Sequence, residues 1–183
     1  SRASAGVCDA AIVGGVDSLC LTTLYGFSSL QLLSAEPCRP CDEDRDGLSL
    51  GEAAGYALLE SSRNVRRRGA VALLGYGEST DGYHMSHPHP EGAGAIRAMC
   101  QALNRAGLRA ADIDYINLHG TATRANDTVE DRAVHGVFGT HTAASSTKGW
   151  TGHTLGAAGI TEALLSVVCL TQGFVPGTLN CQR

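Results

Sequence analysis

Two stretches decide how this chain folds: Lys148-Gly149-Trp150-Thr151-Gly152-His153-Thr154-Leu155-Gly156-Ala157-Ala158-Gly159 and, upstream of it, His119-Gly120-Thr121-Ala122-Thr123. Each places one histidine in a Gly- and Thr-rich loop. Ile113 to Leu118 reads as a strand that leads straight into His119, and Ala143 to Ser146 reads as a short strand entering Lys148. Loops at strand ends are where α/β folds gather reacting groups. A lone histidine there would cap its strand or fill a surface loop. Two of them, with a lysine close to the second, can instead polarise one carbonyl.

Working outward, strands and helices alternate. Ala10 to Gly15 is a short run of small and β-branched residues typical of a buried strand. Leu24, Phe27, Leu30 and Leu33 recur at a spacing that predicts a short helix over Thr22 to Leu33. A loop with two prolines and an acidic cluster runs from Ser34 to Gly51, and Gly55 to Glu60 is strand-like. Arg66-Arg67-Arg68-Gly69 closes a brief helix with charge suited to its C-terminal dipole. Val71 to Gly75 reads as another strand, Glu78 to Pro90 as a histidine-rich loop, and Gly92 to Leu108 as a helix. Asp127 with Glu130 forms a candidate capping box for a helix through Phe138, and Ile160 to Leu170 is an apolar helix ended by Gly173. The expected class is α/β with layered sheets and helices.

Composition removes several alternatives. The net charge of -4, from 14 basic and 18 acidic residues, gives no electrostatic footprint for nucleic acid. No run approaches the ~20 apolar residues of a membrane helix and no signal peptide opens the chain, so a cytoplasmic protein that does not enter membranes is expected. Seven cysteines, at 8, 20, 38, 41, 100, 169 and 181, lie mostly in apolar stretches and read as reduced thiols. Cys38-Arg39-Pro40-Cys41 has CxxC spacing, but no second CxxC or Cys/His pair completes a metal site, so no metal is expected. Gly152 to Gly159 lacks the Lys-Ser/Thr ending of a phosphate-binding P-loop.

The two histidine motifs, the first followed by Asn126-Asp127 and Glu130, resemble those of the β-ketoacyl-acyl carrier protein synthases. Arg39-Pro40-Cys41-Asp42 through Arg45-Asp46-Gly47 to Gly51-Glu52 resembles a further loop of that family, with Cys41 where an aromatic is usual. Asp81-Gly82-Tyr83-His84-Met85 resembles the loop that approaches its active site. The likeness runs from about Ala5 to Leu179, and paired motifs are far more specific than a single one. It implies the thiolase-like layered α/β/α/β/α fold, incomplete here, with 1–69 as the end of the N-terminal half and 70–183 as part of the C-terminal half. Thiolases lack the His-Gly-Thr-x-Thr element, and chain-initiating synthases carry Asn in place of one histidine, so an elongating synthase is implied.

The resemblance assigns roles. His119, His153 and Lys148 become catalytic: two neutral imidazoles donate to a malonyl thioester oxygen while the ammonium opposes their protonation. Thr121 and Thr123 match hydroxyls that hold the phosphopantetheine arm, with local backbone bonding as the competing reading. Glu130 is expected to orient Lys148 or its loop, or else to serve the capping box, and His84 to stand at the periphery of the site. Substrates would arrive on the phosphopantetheine of an acyl carrier protein with no covalently bound cofactor, and the full-length parent would be a homodimer. Arg63, Arg66, Arg67 and Arg68 are conceivable carrier-docking residues, although a solvated helix end explains them more simply.

Such synthases are much longer chains whose Cys nucleophile sits on a Thr-Ala-Cys-type elbow. That elbow and the Gly-rich, Phe-containing segment expected after the last strand are missing here. Cys8 lies just before a strand and not on a turn that would expose it as a nucleophile. The chain is therefore expected to be an interior piece of a condensing enzyme in fatty acid or polyketide elongation, inactive alone. Two other readings stand beside it: a non-catalytic, chain-length-factor-type partner subunit, and a hydrolase or acyltransferase using His119 as base, which no Gly-x-Ser-x-Gly elbow supports.

Overall fold

The computed structural model describes residues 8–61, 69–84 and 87–182. In order these form β1 (Ala10–Asp17), α1 (Leu21–Ser29), β2 (Ala53–Glu60), α2 (Ala93–Ala106), β3 (Tyr115–Asn117), α3 (Arg124–Phe138), β4 (Ala143–Ser145), α4 (Lys148–Thr151) and α5 (Ala158–Gln172). Single 3-10 turns occupy Ala110–Asp112 and Leu155–Ala157. The predicted alternation of strand and helix is present. The brief helix ending at Arg66 to Arg68, and Arg63 with it, falls outside the described residues.

β1 and β2 pair antiparallel from Ala10 opposite Glu60 to Asp17 opposite Ala53. β3 and β4 pair parallel, Tyr115 opposite Ala143 and Asn117 opposite Ser145, with α3 as the crossover that parallel strands require. The loops that carry His119 and Lys148 thus leave the same end of one parallel pair. His119 follows β3 and Lys148 follows β4.

Side-chain alternation explains how β1 and β2 meet the C-terminal segment. Gly15 and Gly55 are paired across the ladder and so share a face. A Cβ on Gly15 would sit 2.2 Å from the Gly156 carbonyl oxygen, and one on Gly55 would meet Ile160 and Leu164 at 3.1 and 3.2 Å. Bare backbone at these positions lets the Leu155–Ala157 turn and α5 lie directly on the sheet. The opposite face carries Ile12, Val16, Tyr56 and Leu58, all exposed. The strand expected to be buried is therefore covered on one face only among the described residues.

Three other expectations change. Val71 to Gly75 joins no ladder among the described residues; instead its segment lies against α2, where a Cβ on Gly77 would fall on the Ala98 carbonyl and one on Gly75 within 2.3 Å of that of Ala102. The guanidinium of Arg105 stacks 4.0 Å above the Tyr76 ring and fixes this crossing. α1 stops at Ser29, short of Leu33, because Gln31 turns into left-handed backbone at φ 56°. Finally, Leu155–Gln172 is a continuous run long and apolar enough, at mean hydropathy 1.4, to cross a membrane by length and composition. Its Glu162 engages Lys148 and its Ile160 and Leu164 lie on β2, which are contacts of a helix packed in protein.

The glycine contacts make a stability prediction. Gly15→Ala forces its methyl into the Gly156 carbonyl and is expected to destabilise by about 1–3 kcal/mol, as overpacked sites do. Gly26→Ala, inside α1 with nothing within 4 Å of the added methyl, is expected to stabilise by about 0.4–1 kcal/mol. Urea unfolding of the two variants beside the parent checks both; equal midpoints would refute the close approach of β1 to the Leu155–Ala157 turn.

Candidate active site

The most deeply buried part of the molecule is polar. Thr121, Asp127, Ser145, Ser146, Thr147, Lys148 and Thr154 are all buried, most of them on the loops that follow β3 and β4. Buried polar groups must be hydrogen-bonded, and here the bonds tie the two loops together. Ser146 Oγ donates to the Gly120 carbonyl at 2.7 Å and accepts from the Lys148 N–H at 3.2 Å. Gly120 permits this: its φ is 41°, and a Cβ there would sit 2.4 Å from that of Ser146.

Two carboxylates hold the His119 loop by its backbone. Glu130 accepts the N–H groups of His119 and Gly120, each at 2.7 Å, and Asn126 Nδ2 braces it at 3.2 Å. Burial raises the Glu130 carboxyl above its ordinary range, opposed by those N–H donors. Asp127 accepts the Ala122 N–H at 3.1 Å and the Cys41 N–H at 2.9 Å, while Arg45 lies 3.9 Å from it. Two expectations for these carboxylates, one from spacing and one from the resemblance, need correcting. α3 begins four residues earlier than the capping-box reading requires, with Thr123 as its N-cap, so Asp127 and Glu130 project from its first turns toward the preceding loop. Nor does Glu130 orient Lys148, because its carboxylate is engaged by the backbone of His119 and Gly120.

The partner of Lys148 is Glu162, on α5. The ammonium forms a direct ion pair with Glu162 Oε1 and lies 3.3 Å from His119 Nδ1; the lysine side chain is 2% exposed. Sequence reasoning missed Glu162, which sits in an otherwise apolar helical run. The usable signal was that Lys148 is the only lysine in the chain and that Glu162 is the only charged residue of α5.

The imidazoles of His119 and His153 meet edge to face, ring centres 5.1 Å apart at 86°. His153 is held by its backbone, which donates to Ser49 O at 2.7 Å and accepts from Gly51 N at 3.1 Å, and its ring meets that of Phe27 of α1 edge to face with centres 6.5 Å apart. Tautomers follow from the donors. An ammonium can only donate, so His119 Nδ1 must accept from Lys148 and its proton resides on Nε2. The Leu155 N–H faces His153 Nδ1 at 3.4 Å and asks the same of the second ring. Desolvation first, and the Lys148 charge second, push both imidazoles down to about 4. At neutral pH the pair is two uncharged rings, each with an Nε2–H donor.

Thr121 and Thr123, on the loop that follows His119, share a hydroxyl–hydroxyl bond at 2.9 Å, and the Thr123 N–H donates to Thr121 Oγ1 at 3.4 Å, the local backbone bonding of the competing reading. His84 stands in another setting: its ring meets that of His87, with Nδ1 atoms 3.1 Å apart. Among the described residues no group of three or more His, Cys, Asp or Glu is gathered to hold a metal ion. No cysteine sulfur among them is hydrogen-bonded to either imidazole; the nearest link is Cys38 Sγ to the Lys148 carbonyl at 3.4 Å.

Residues 70–182 match the family described as beta-ketoacyl synthase, C-terminal domain, and residues 3–64 match beta-ketoacyl synthase, N-terminal domain. The chain is 43% identical to 3-oxoacyl-[acyl-carrier-protein] synthase 2 of Rhizobium meliloti over 96% of its own length and 45% of that protein's. It is 42% identical to the mitochondrial 3-oxoacyl-[acyl-carrier-protein] synthase of Arabidopsis thaliana, over 97% of this chain and 42% of that one. A solved ketosynthase from Xenorhabdus doucetiae, in complex with its chain length factor, superimposes with TM-score 0.92 at 47% identity, over 97% of this chain and 44% of that one. The chain thus spans a little under half the length of each.

Acid should test the site. The imidazoles bind protons at about 4 when folded against an ordinary 6.5, so the unfolded chain binds more protons between those values. Their contribution is complete above about pH 6.5 and is lost as pH falls toward 4. Nitrogen-15 NMR of the histidine side chains should show both rings neutral at pH 6 with the proton on Nε2. Lys148→Met should move both midpoints part of the way back up, since burial, the larger cause, remains. A ring of either residue titrating near 6.5 in the unsubstituted chain contradicts the site as described.

Proposed function

The chain belongs to the beta-ketoacyl synthase family, and from that premise we propose that it carries the malonyl-activating half of an elongating condensing site. The observation that carries this reading is the convergence of His119 and His153, both neutral Nε2–H donors, with the Lys148–Glu162 pair behind them. In a decarboxylating Claisen condensation, loss of carbon dioxide from a malonyl thioester pushes negative charge onto its carbonyl oxygen. Two uncharged N–H donors oriented beforehand stabilise that charge without reorganising during the step. A protonated imidazole would also bind the oxygen but would bind the malonate carboxylate as well, stabilising the ground state that has to break down.

Lys148 serves electrostatically: it donates to His119 Nδ1, selects the tautomer, and disfavours a second positive charge on either ring. Thr121 and Thr123 are suited to the amides of a phosphopantetheine arm, their mutual bond leaving lone pairs for a ligand. That arm belongs to an acyl carrier protein, for which the similar synthases are named. No covalently bound cofactor enters the reaction. In this reading the acyl-accepting cysteine belongs to the rest of a full-length synthase, a cytoplasmic homodimer, in fatty acid or polyketide elongation. Residues 1–69 would then close its N-terminal half and 70–183 would form part of its C-terminal half. A chain-length-factor-type subunit is the second reading, favoured by the complex with such a factor among the similar structures. A non-catalytic subunit has no use for two neutral imidazoles and a buried lysine.

In the full-length enzyme, His119→Ala is expected to lower release of carbon dioxide from a malonyl thioester by ~10²–10³-fold. Acylation of the enzyme's cysteine, followed by intact mass, should persist. Decarboxylation at the parent rate would remove the proposed role and favour the partner-subunit reading. The 183-residue chain alone is expected to form no β-ketoacyl product, checked by mass spectrometry of the carrier-bound acyl group.

A further inference from the structure

Cys38-Arg39-Pro40-Cys41 is a motif that the condensing site leaves unused, and the fold separates its two thiols. Cys38 turns inward, buried, toward the Lys148 carbonyl. Cys41 takes left-handed backbone at φ 64° and is exposed as a residue, with its thiol partly covered beside Asp127. Alongside it runs the segment 180–182. The Asn180 side-chain amide donates to the Cys38 carbonyl at 2.9 Å, and the Gln182 N–H donates to Asp42 Oδ2 at 2.7 Å. These two bonds bracket Cys41 on one stretch of chain and Cys181, also exposed, on the other. We propose that Cys41 and Cys181 are a redox modification site, joined as a disulfide by exchange with a low-molecular-weight disulfide such as oxidised glutathione.

The surroundings set the order of events. Burial first, then the Asp127 and Glu130 carboxylates and the Cys181 sulfur, push the Cys41 thiol up to about 12. A thiol held that high is a poor attacking group near neutral pH. Cys181 therefore reacts first: its thiolate attacks one sulfur of the oxidant, that S–S bond breaks, and one small thiolate leaves and takes up a proton. Cys41 then gives up its proton and attacks the Cys181 sulfur, expelling the second small thiol. Two protein thiols are oxidised and one small disulfide is reduced to two thiols, with both protons accounted for.

The link would fix the segment that buttresses the catalytic loops. Thr178 Oγ1 accepts the Ser146 N–H at 3.1 Å, and Ser146 is the residue that joins Gly120 to Lys148. Oxidation at Cys41 and Cys181 thus stiffens the outer side of the junction that holds His119 and Lys148.

The experiment is incubation of the reduced 183-residue chain with oxidised glutathione, acid quenching, and intact-mass and peptide mapping. The expected product has lost two hydrogens, contains a peptide linking Cys41 to Cys181, and returns to the thiol form with dithiothreitol. Cys41→Ser should instead hold a glutathione adduct on Cys181, because the resolving thiol is gone, and Cys181→Ser should form no such link. Cross-links through other cysteines alone, or glutathione adducts without a cross-link in the unsubstituted chain, would overturn the proposal. A Cys41–Cys181 link that forms equally fast in urea would overturn it too, since the pairing would then owe nothing to the fold.

Discussion

A single buried ammonium organises this structure. Placing Lys148 out of water costs several kcal/mol unless a counter-charge and hydrogen-bond acceptors surround it. Glu162 supplies the charge and His119 Nδ1 supplies an acceptor. Those demands reach far beyond the lysine. Glu162 is on α5, so α5 must dock with one orientation, and the docking is what Gly15 and Gly55 allow by leaving β1 and β2 bare where the helix and its leading turn arrive. Ser146, one residue from the parallel pair, joins the Lys148 loop to the Gly120 loop, so the register of β3 and β4 is tied to the same point.

The carboxylates around the site divide the work. Glu162 meets charge, Glu130 meets two backbone N–H groups, and Asp127 meets backbone N–H groups of two separate loops. Each buried carboxylate needs several donors, and N–H groups of an irregular loop need acceptors that secondary structure does not provide. The left-handed turns at Gly120 and Ala122 expose these N–H groups, and α3 answers from its first turns. The loop is consequently rigid in the place where the imidazole must be aimed.

The sequence made much of this legible, for identifiable reasons. Strand, helix and histidine loop could be ordered because β-branched runs, apolar spacing and Gly/Thr clusters each have a local physical cause. His119, His153 and Lys148 were readable as a group and do come together. Glu162 was not, because its meaning depends on which side of α5 faces the sheet, and a lone carboxylate in an apolar helix reads locally as its solvated edge. Glu130 was misread for a related reason: the Asp127–Glu130 spacing fits a capping box, and only the true start of α3 at Arg124 shows it to be something else. Val71 to Gly75 has strand composition, yet a ladder needs a partner strand, and its Gly75 and Gly77 fit it to α2 instead.

The two imidazoles are alike in charge but not in what fixes them. His119 owes its tautomer to a charged donor, the Lys148 ammonium at 3.3 Å, whereas His153 faces a neutral backbone N–H at 3.4 Å. Charge-assisted bonds are the stronger kind, so the orientation of His119 is linked to the ionisation of a lysine that is itself held by α5. His153 is positioned by main chain instead, through Ser49 and Gly51. One ring is therefore tuned electrostatically and the other mechanically. Any disturbance of α5 reaches the site through His119 first, while a disturbance of the Ser34 to Gly51 loop reaches it through His153. The feature that makes the pair chemically useful, two uncharged donors side by side, depends on both supports being present at once.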